Sequence, residues 1–563
     1  MKIIKSIPPK PPKNSFVALD IELFGMNAKQ LHRPTSGEFA ALTICSDINT
    51  VFIIQDETQV PEVLANLEEC VWVFQKSKFD ITHLRRYANI PQRKKMWDTL
   101  VIDRILWGGY YNTFSLEDLA RRYLDIYVDK SLQKSFGEPK AFAGEMSEEQ
   151  IEYACTDAWI TYQIALEQKK IMTKMDFELW RDIDAPTIWA FMDFRGFAFD
   201  TLEWKDLAER NEFRYQEIDK ELPFNPRSYK QVLAHLKKTG FTNLKSTGKD
   251  PLEKAIRKYP DTEAAILAKK TLESRMYSKR ASTYGANFLD DFVEQEDGID
   301  IIIPDLHVNK AETGRMASSN PNIMNIPIKD TKEFRECFIA RPGNKLIIAD
   351  YSAQEPRIMA YLSQDKCMIQ IFQDRKDIYI EVASHTFDEE ITKADDRRRQ
   401  MKDIVLGIGY GLTEWGLSRQ ESISLKEAKF LVRSVHRFFP QASAWGEKQA
   451  QNRNYVTTIP GRKVWLNPYS NQVENNARNS PIQGTAAEML KLSIIRIHKE
   501  WDFDCPFGIV APIHDELILD VPDKPASEVA FFVKKIMVDE AEKMCPGVPF
   551  VVDTVISDSW AGK

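Results

Sequence analysis

Between Arg397 and Gly411 the chain reads RRRQMKDIVLGIGYG, and Arg398, Lys402, Leu406 and Tyr410 recur every fourth residue. Residues at that spacing share one face of an α-helix. The segment therefore predicts a helix presenting two cations, an apolar side chain and an aromatic ring in a row. Two acidic stretches flank it in sequence, DYSAQE at 350–355 and IHDE at 513–516. A cationic helix face beside converging carboxylates suits a metal-dependent reaction on a polyphosphate, nucleotidyl transfer in particular. Each piece alone also fits an amphipathic surface helix with unrelated acidic loops. Their joint occurrence favours the chemistry.

A chain of 563 residues exceeds one ordinary globular core, and about two to four domains are expected. Its 43% hydrophobic and 28% charged content describes a folded chain, and no apolar run approaches the ~20 residues of a membrane span. Prolines interrupt the first residues, MKIIKSIPPKPPKN, where a secretion signal needs a continuous apolar stretch. The seven cysteines lack CxxC spacing, which points to a reducing compartment and away from zinc. A carboxylate-held magnesium site stays open. The net charge of −7 says nothing for nucleic acid, but basic clusters at Lys230–Lys238, Lys269–Arg280 and Arg397–Lys402 set local fields that suit phosphate.

Alternation in FVALDIE (16–22), followed by ALTICSD (41–47) and VWVF (71–74), predicts the strands of an α/β unit. Helices are predicted at 115–127 and 146–170, the second capped by Ser147 with Gln150 three residues on. Charged helices follow at 204–222, 228–240 and, as one long element, 261–292. Beyond 299, strands are predicted in IIIPDLHVN, KLIIADYS, YVTTIP with RKVWL, and a hairpin GIVAPIHDELILDV turning at His514 to Glu516. Further helices are predicted at 352–363, 369–373, 379–387, 395–413, 424–438 and 483–499.

Two constellations stand out. Asp20 and Glu22, two apart on a strand, share a face, as do Tyr153 and Asp157, four apart on a helix. With Asp80 they supply the carboxylates that two divalent ions need to activate water on a phosphodiester, Tyr153 aligning the water. The second set joins Asp350, at the end of KLIIAD, to Asp515, at the hairpin turn. Two carboxylates from separate strands can hold two magnesium ions, with the backbone carbonyl of Tyr351 as a further ligand. Glu355 reaches back toward a nucleotide sugar. Arg398 and Lys402 pair with β- and γ-phosphates, Leu406 packs near sugar and base, and Tyr410 offers an aromatic plane to the template. Gly407, Gly409 and Gly411 weaken that helix near its end, which suits a hinge.

The D-x-E, internal Asp and Y-x-x-x-D set, in this order, resembles the DEDD-type 3′–5′ exonuclease of proofreading polymerases. The resemblance carries over Asp20 and Glu22, then Asp80, then Tyr153 with Asp157. Leu23 stands where that family has threonine after D-x-E, and Lys76 where it has asparagine four residues before the second Asp. DYSAQEPRI, RRRQMKDIVLGIGYG and IHDE resemble motifs A, B and C of the family A DNA polymerases. TGRMASSNPNIMNIP (313–327) and RNSPIQGTAAE (478–488) resemble the family's segments preceding motifs A and C. The resemblance implies that Arg315, Asn479, Gln483 and His514 approach the minor groove of primer-template DNA, testing pair geometry without reading sequence. It also carries over Glu516 as an auxiliary acid. Departures are Leu406 for an aromatic, Val405 for asparagine, Asn475 for arginine, Pro512 for glutamine, and Ala353–Gln354 for glutamine–isoleucine.

The implied fold class is α/β multidomain, an RNase H-like α/β exonuclease domain followed by a right-hand polymerase of palm, fingers and thumb. The expected boundaries are 1–190 for the exonuclease domain, 191–298 for a mainly helical thumb, and 299–563 for palm and fingers, the fingers at about 367–450. The expected function is template-directed addition of dNTPs to a primer 3′ end by two-metal phosphoryl transfer, with 3′–5′ proofreading. The competing readings are a 3′–5′ exonuclease whose C-terminal half binds duplex without synthesis, and RNA synthesis on a related palm. Expected cofactors are two Mg²⁺ per site, with Mn²⁺ as substitute. Expected partners are primer-template DNA, dNTPs and a single-stranded 3′ end, bound by a monomer in the bacterial cytoplasm. No 5′ nuclease domain is expected before Phe16, and a phage or mobile-element origin fits the compact size.

Overall fold

The computed structural model describes every residue except 26–28, 30–31, 93–94, 138–144, 329–330, 410, 422 and 563. Tyr410 thus lies outside the described residues, and its predicted role has no geometry here.

The N-terminal part is built on a six-stranded mixed sheet. β1 (Lys2–Ile4), β4 (Thr50–Ile54), β3 (Glu38–Cys45), β2 (Phe16–Phe24), β5 (Val71–Phe74) and β6 (Met96–Asp98) lie side by side in that order. β2 runs antiparallel to β3 and parallel to β5. The helix Glu148–Ile171 packs on β2 and β3; it opens with the expected capping box, Ser147 and Gln150 each bonding the other's backbone amide. The helices Ser77–Leu84 and Thr99–Trp107 follow β5 and β6 directly.

Next come the helices Thr201–Lys220, Tyr229–Thr239, Lys249–Lys258 and Glu263–Thr283. They close over their own small core of Ile218, Val232, Leu236, Phe241 and Leu252. The predicted continuous helix over 261–292 is in fact two, Glu263–Thr283 and Ala286–Phe292. Gly285 breaks it: its backbone is extended and so close to the Ala281 carbonyl that a Cβ would stand 2.3 Å from the oxygen. The segment also contributes β7 (Phe197–Phe199), which pairs with β9 (Ile299–Ile302) and β12 (Phe338–Ile339), while β8 (Glu294–Glu296) pairs with β9. An aromatic cluster locks this base, with Trp204 stacked on Phe288 at 4.4 Å between ring centres and touching Phe199, Phe334 and Phe338. Burial of each such ring stabilises by about 2–3 kcal/mol.

The C-terminal part centres on a second sheet, in the order β16 (Ile509–Ile513), β17 (Glu516–Pro522), β13 (Asn344–Tyr351), β18 (Val552–Ser557). Alternation along β13 divides two cores. Ile347, Ala349 and Tyr351 face the helices Val473–Lys499 and Ala526–Met544, while Leu346 and Ile348 join the aromatic cluster. A small hairpin, β10 (Asp305–His307) with β11 (Ala317–Ser319), and another, β14 (Tyr455–Thr457) with β15 (Lys463–Trp465), lie beside it. The helix predicted over 395–413 runs from Asp396 to Gly409, and a separate helix begins at Glu414. The helix predicted at 483–499 is the second half of a longer one, Val473–Lys499, with Pro481 inside it. Among the described residues no helix is long and apolar enough to cross a membrane.

Candidate active sites

In the first candidate site, strand alternation places Asp20 and Glu22 together on β2. Asp80, on the helix after β5, reaches the same point because the Ile21 amide, between those two acids, donates to its Oδ1 at 3.2 Å. Tyr153 and Asp157 arrive from the long helix. The four carboxylates interact strongly. Burial, then Asp157, pushes Asp20 up to about 8. Burial, then Asp20, Asp157 and Asp80, raises Glu22 well above the carboxylate range. Burial, then Asp20, raises Asp80. Burial pushes Asp157 up to about 6 against the opposing hydrogen bond from Tyr153. Tyr153 is itself raised, by burial and then Asp157 and Glu22.

Such a cluster costs free energy unless protons or cations neutralise it. Asp20 Oδ2 and Asp157 Oδ1 are buried without hydrogen-bond partners among the described residues, which fits oxygens that face a cation. Among the described residues no three acids, histidines or cysteines stand at the spacing that would clasp one ion by themselves.

In the second candidate site, β16 and β17 are joined by the two-residue turn His514–Asp515, with His514 at φ +59°, a conformation uncommon for a side chain of that size. Asp350 pairs in register with Glu516, and the Tyr351 amide donates to the Asp515 carbonyl at 3.4 Å. Neighbouring strands stand about 4.8 Å apart, so the backbones at Asp350 and Asp515 lie a single strand spacing from one another. Asp350 also pairs with Asp553 of β18. Laterally paired side chains share a face, so Glu516, Asp350 and Asp553 form one acidic row. Sequence reasoning missed Asp553, which carries no local motif. Glu516 is buried and accepts the Trp560 indole N–H at 2.7 Å, with the Arg335 guanidinium 3.9 Å over that indole. The Tyr351 hydroxyl donates to the Met537 carbonyl at 2.8 Å and lies 3.1 Å from Ser493 Oγ, anchoring the strand end to both rear helices.

Glu355 lies in the first turn of the helix Gln354–Ser363, entered through Ala353 in the left-handed region. It is raised by burial, an effect opposed by Arg315, which donates to its Oε1. Arg398 donates through Nε at 3.0 Å and Nη2 at 2.6 Å to Asp377, and both Arg398 and Lys402 lie over the Tyr379 ring, at 5.7 and 6.0 Å. Burial is the largest cause raising Tyr379, followed by Asp377 and Glu355. Asp377 and Tyr379 were not singled out in the sequence. Leu406 lines a cavity of about 1030 Å³ with His436, Trp445, Asn475 and Arg478. Gly411, at φ +77°, sits so close to Asn475 that a Cβ would stand 2.0 Å from its Oδ1.

The remaining candidates lie on the Val473–Lys499 helix, the β16–β17 turn and the β10–β11 loop. Asn479 and Gln483 are one turn apart on the Val473–Lys499 helix, and the adjoining Gly484 lies so near the Thr313 carbonyl that a Cβ would stand 2.7 Å from it. That brings Gln483 beside the turn carrying Arg315. His514 is lowered by burial and then by Arg315. The Asn479 side-chain carbonyl is buried without a partner among the described residues.

Residues 202–562 match the family DNA polymerase family A, and residues 12–174 match a 3′-5′ exonuclease family. Domains of these families generally depend on divalent metal ions. The chain is 30% identical over 413 residues to "DNA polymerase I, thermostable" of Thermus aquaticus, covering 68% of this chain and 48% of that protein. It is 28% identical over 574 residues to DNA polymerase I of Aquifex aeolicus, covering 94% and 95% of the two. The chain thus spans about half the length of the Thermus relatives it matches. The fold is similar to the POL domain of Pol1 from M. smegmatis in complex with DNA primer-template and dNTP, with a TM-score of 0.80, 24% identity and coverage of 97% and 95%. The chain belongs to DNA polymerase family A.

Proposed function

We propose that the chain is a template-directed DNA polymerase that extends a primer 3′ end with dNTPs and removes mispaired ends by 3′–5′ exonucleolysis. What supports synthesis is the backbone adjacency of Asp350 and Asp515, which come from distant segments, together with a helix whose cations Arg398 and Lys402 share the Tyr379 ring.

Asp350 and Asp515, with the Tyr351 carbonyl, are the ligands for two Mg²⁺, for which Mn²⁺ substitutes. When bound, the ions lower the pKa of the primer 3′-hydroxyl and neutralise charge on the transferring phosphoryl group. Arg398 and Lys402 bind the β- and γ-phosphates, and the Lys402 ammonium supplies a proton to departing pyrophosphate. Arg398 must leave Asp377 to do so, so nucleotide entry exchanges one ion pair for another. Leu406 covers sugar and base, and Tyr410 takes the template position. Glu355 blocks a 2′-hydroxyl. Arg315, Asn479, Gln483 and His514 probe the minor groove, where a correct pair presents its acceptors in one place. In the exonuclease site Asp20, Glu22, Asp80 and Asp157 hold the metal and Tyr153 orients the attacking water.

The domain reading is exonuclease 1–190, thumb 191–298, and palm and fingers 299–563. The enzyme acts as a monomer on primer-template DNA and on a single-stranded 3′ end. Its seven cysteines, none in a disulfide, suit a reducing cytoplasm.

A primed-template assay with and without dNTPs tests both sites. Asp350→Ala is expected to abolish extension and spare degradation, and Asp20→Ala to do the reverse. Loss of both activities together in a folded variant overturns the two-site assignment. A wild-type chain that degrades but never extends leaves only a nuclease with a duplex-binding half.

A further inference from the structure

The β10–β11 hairpin and its loop, 308–316, touch both candidate sites. At the stem, Asp305 is almost completely buried, and its carboxylate receives Lys78 Nζ at 2.7 Å and Lys76 Nζ at 3.8 Å. Lys78 also donates to the Leu306 carbonyl at 2.9 Å. These lysines flank the start of the helix Ser77–Leu84, which presents Asp80 to β2. Burial alone would raise Asp305, yet Lys78 and Lys76 together hold it well below the usual carboxylate range. Higher in the loop, Asn309 donates to the Val101 carbonyl at 3.1 Å and to Asp184 at 3.0 Å. The Glu312 carbonyl lies 3.4 Å from where a Cβ on Gly108 would stand. At the tip, Gly314 rests on Arg462, Thr313 packs against Gly484, and Arg315 donates to Glu355.

One short segment is therefore bonded at its stem to the helix carrying an exonuclease ligand and at its tip to the residue facing the nucleotide sugar. Arg315 has Glu355 as its partner within the chain, and the two-site reading gives it a second, the minor-groove acceptors of a paired primer end. A mispaired end offers the second poorly. Release of the guanidinium from Glu355 to a paired primer end would give it a second position at the end of a hairpin held on both sides, the two-state element that energetic coupling between sites requires.

We propose that the β10–β11 hairpin couples the two sites, with Asp305 and Lys78 as positioning residues through which Arg315's engagement of the primer end biases the choice between extension and excision. The inference rests on the two-site reading above. It also gives a role to the two lysines at the exonuclease helix, where Lys76 stands in place of an asparagine.

The test uses the full chain carrying Asp305→Asn, which keeps the shape of the side chain and removes its charge. Three rates are compared with wild type: degradation of a single-stranded oligonucleotide, excision from matched and mismatched primer-templates, and extension of a matched primer. The mismatched-to-matched excision ratio is expected to fall at least about fivefold, while single-strand degradation and matched extension stay within about twofold. Should Asp305→Asn fail to fold, Lys78→Gln, whose amide retains the bond to Leu306, carries the same expectation. An unmoved ratio overturns the coupling. So does a parallel fall in single-strand degradation, which would make Asp305 a support for Asp80 alone. A wild-type chain that degrades no single strand overturns the exonuclease reading itself, and the coupling with it.

Discussion

Lys491→Met tests what holds the long helix of the polymerase body in place. Lys491 and Glu488 of that helix are completely buried, as are Asp184 at the end of the exonuclease segment and, nearly so, Arg462 of the β14–β15 connection. Asp184 receives Lys491 Nζ at 2.8 Å and Arg462 Nη2 at 3.0 Å, while Arg462 Nε donates to Glu488 at 2.7 Å. Two anions and two cations cancel. Methionine at 491 fills the volume but leaves a net negative charge in the interior. Breaking one partner of such a buried group costs about 3–5 kcal/mol, far more than the fraction of a kcal/mol lost with an exposed pair. Asp184→Asn is expected to cost about the same, leaving two cations against Glu488. The double variant restores neutrality through Arg462 and Glu488, so it should cost no more than the larger single one. The assay is urea unfolding followed by tryptophan fluorescence, run as a double-mutant cycle with melts of each variant as a control for gross misfolding. Additive costs, or a cost below about 1 kcal/mol for Lys491→Met, would refute the reasoning. The network also has a pH signature. Burial alone would raise Asp184, but Arg462 and Lys491 hold it below its ordinary value. Its contribution is therefore present above about pH 4 and is lost as pH falls through the lowered folded value.

Because Asp20 is pushed up to about 8 and Asp157 to about 6, the metal-free chain should lose stability as pH rises from about 4 to about 8. Added Mn²⁺ should raise the melting temperature more at pH 8 than at pH 6, with proton release on binding; a gain independent of pH removes the metal-ligand reading of that cluster. Arg398→Ala should raise KM for dNTPs about 10- to 100-fold, the worth of a charge-assisted contact, while Asp377→Asn, which frees the guanidinium, should lower it. Movement of both variants in one direction contradicts the exchange of ion pairs. Glu355→Ala should increase use of rNTPs relative to dNTPs at least about 10-fold, and an unchanged ratio in single-nucleotide extension would leave the 2′-hydroxyl barrier to another residue.

What the sequence revealed divides along the reach of the physics involved. The two-residue period of β2 aligns Asp20 with Glu22, and the helical period aligns Tyr153 with Asp157, because strand and helix geometry are local. The hairpin turn is equally local: predicted at His514 to Glu516, it is observed at His514–Asp515, with Glu516 already paired as the first residue of β17. That Asp80 receives the Ile21 amide is a tertiary fact with no trace in the spacing. Asp553 is the clearest omission: it joins the acidic row only because β18 returns antiparallel beside β13, and nothing near DTVIS announces that pairing. Asp377 and Tyr379 escape the sequence reading because their relation to Arg398 depends on two helices packing, and Lys78 with Asp305 because a helix packs on the β10 strand. The predicted 261–292 helix erred for a different reason. The charged helical pattern continues on both sides of Tyr284–Gly285, but glycine disfavours helix there, and the break lets Phe288 turn onto Trp204 and seal the aromatic base. Local rules thus point to the groups proposed to perform chemistry, most of which occupy fixed positions on strands, helices and one tight turn. The groups that tune and connect them are chosen by contacts between elements, and coupling between the two sites has to be sought there. Lys76 illustrates the point. As a motif position it is only an unexpected residue; beside Asp305 it becomes part of a polar bridge between the exonuclease helix and the hairpin that carries Arg315.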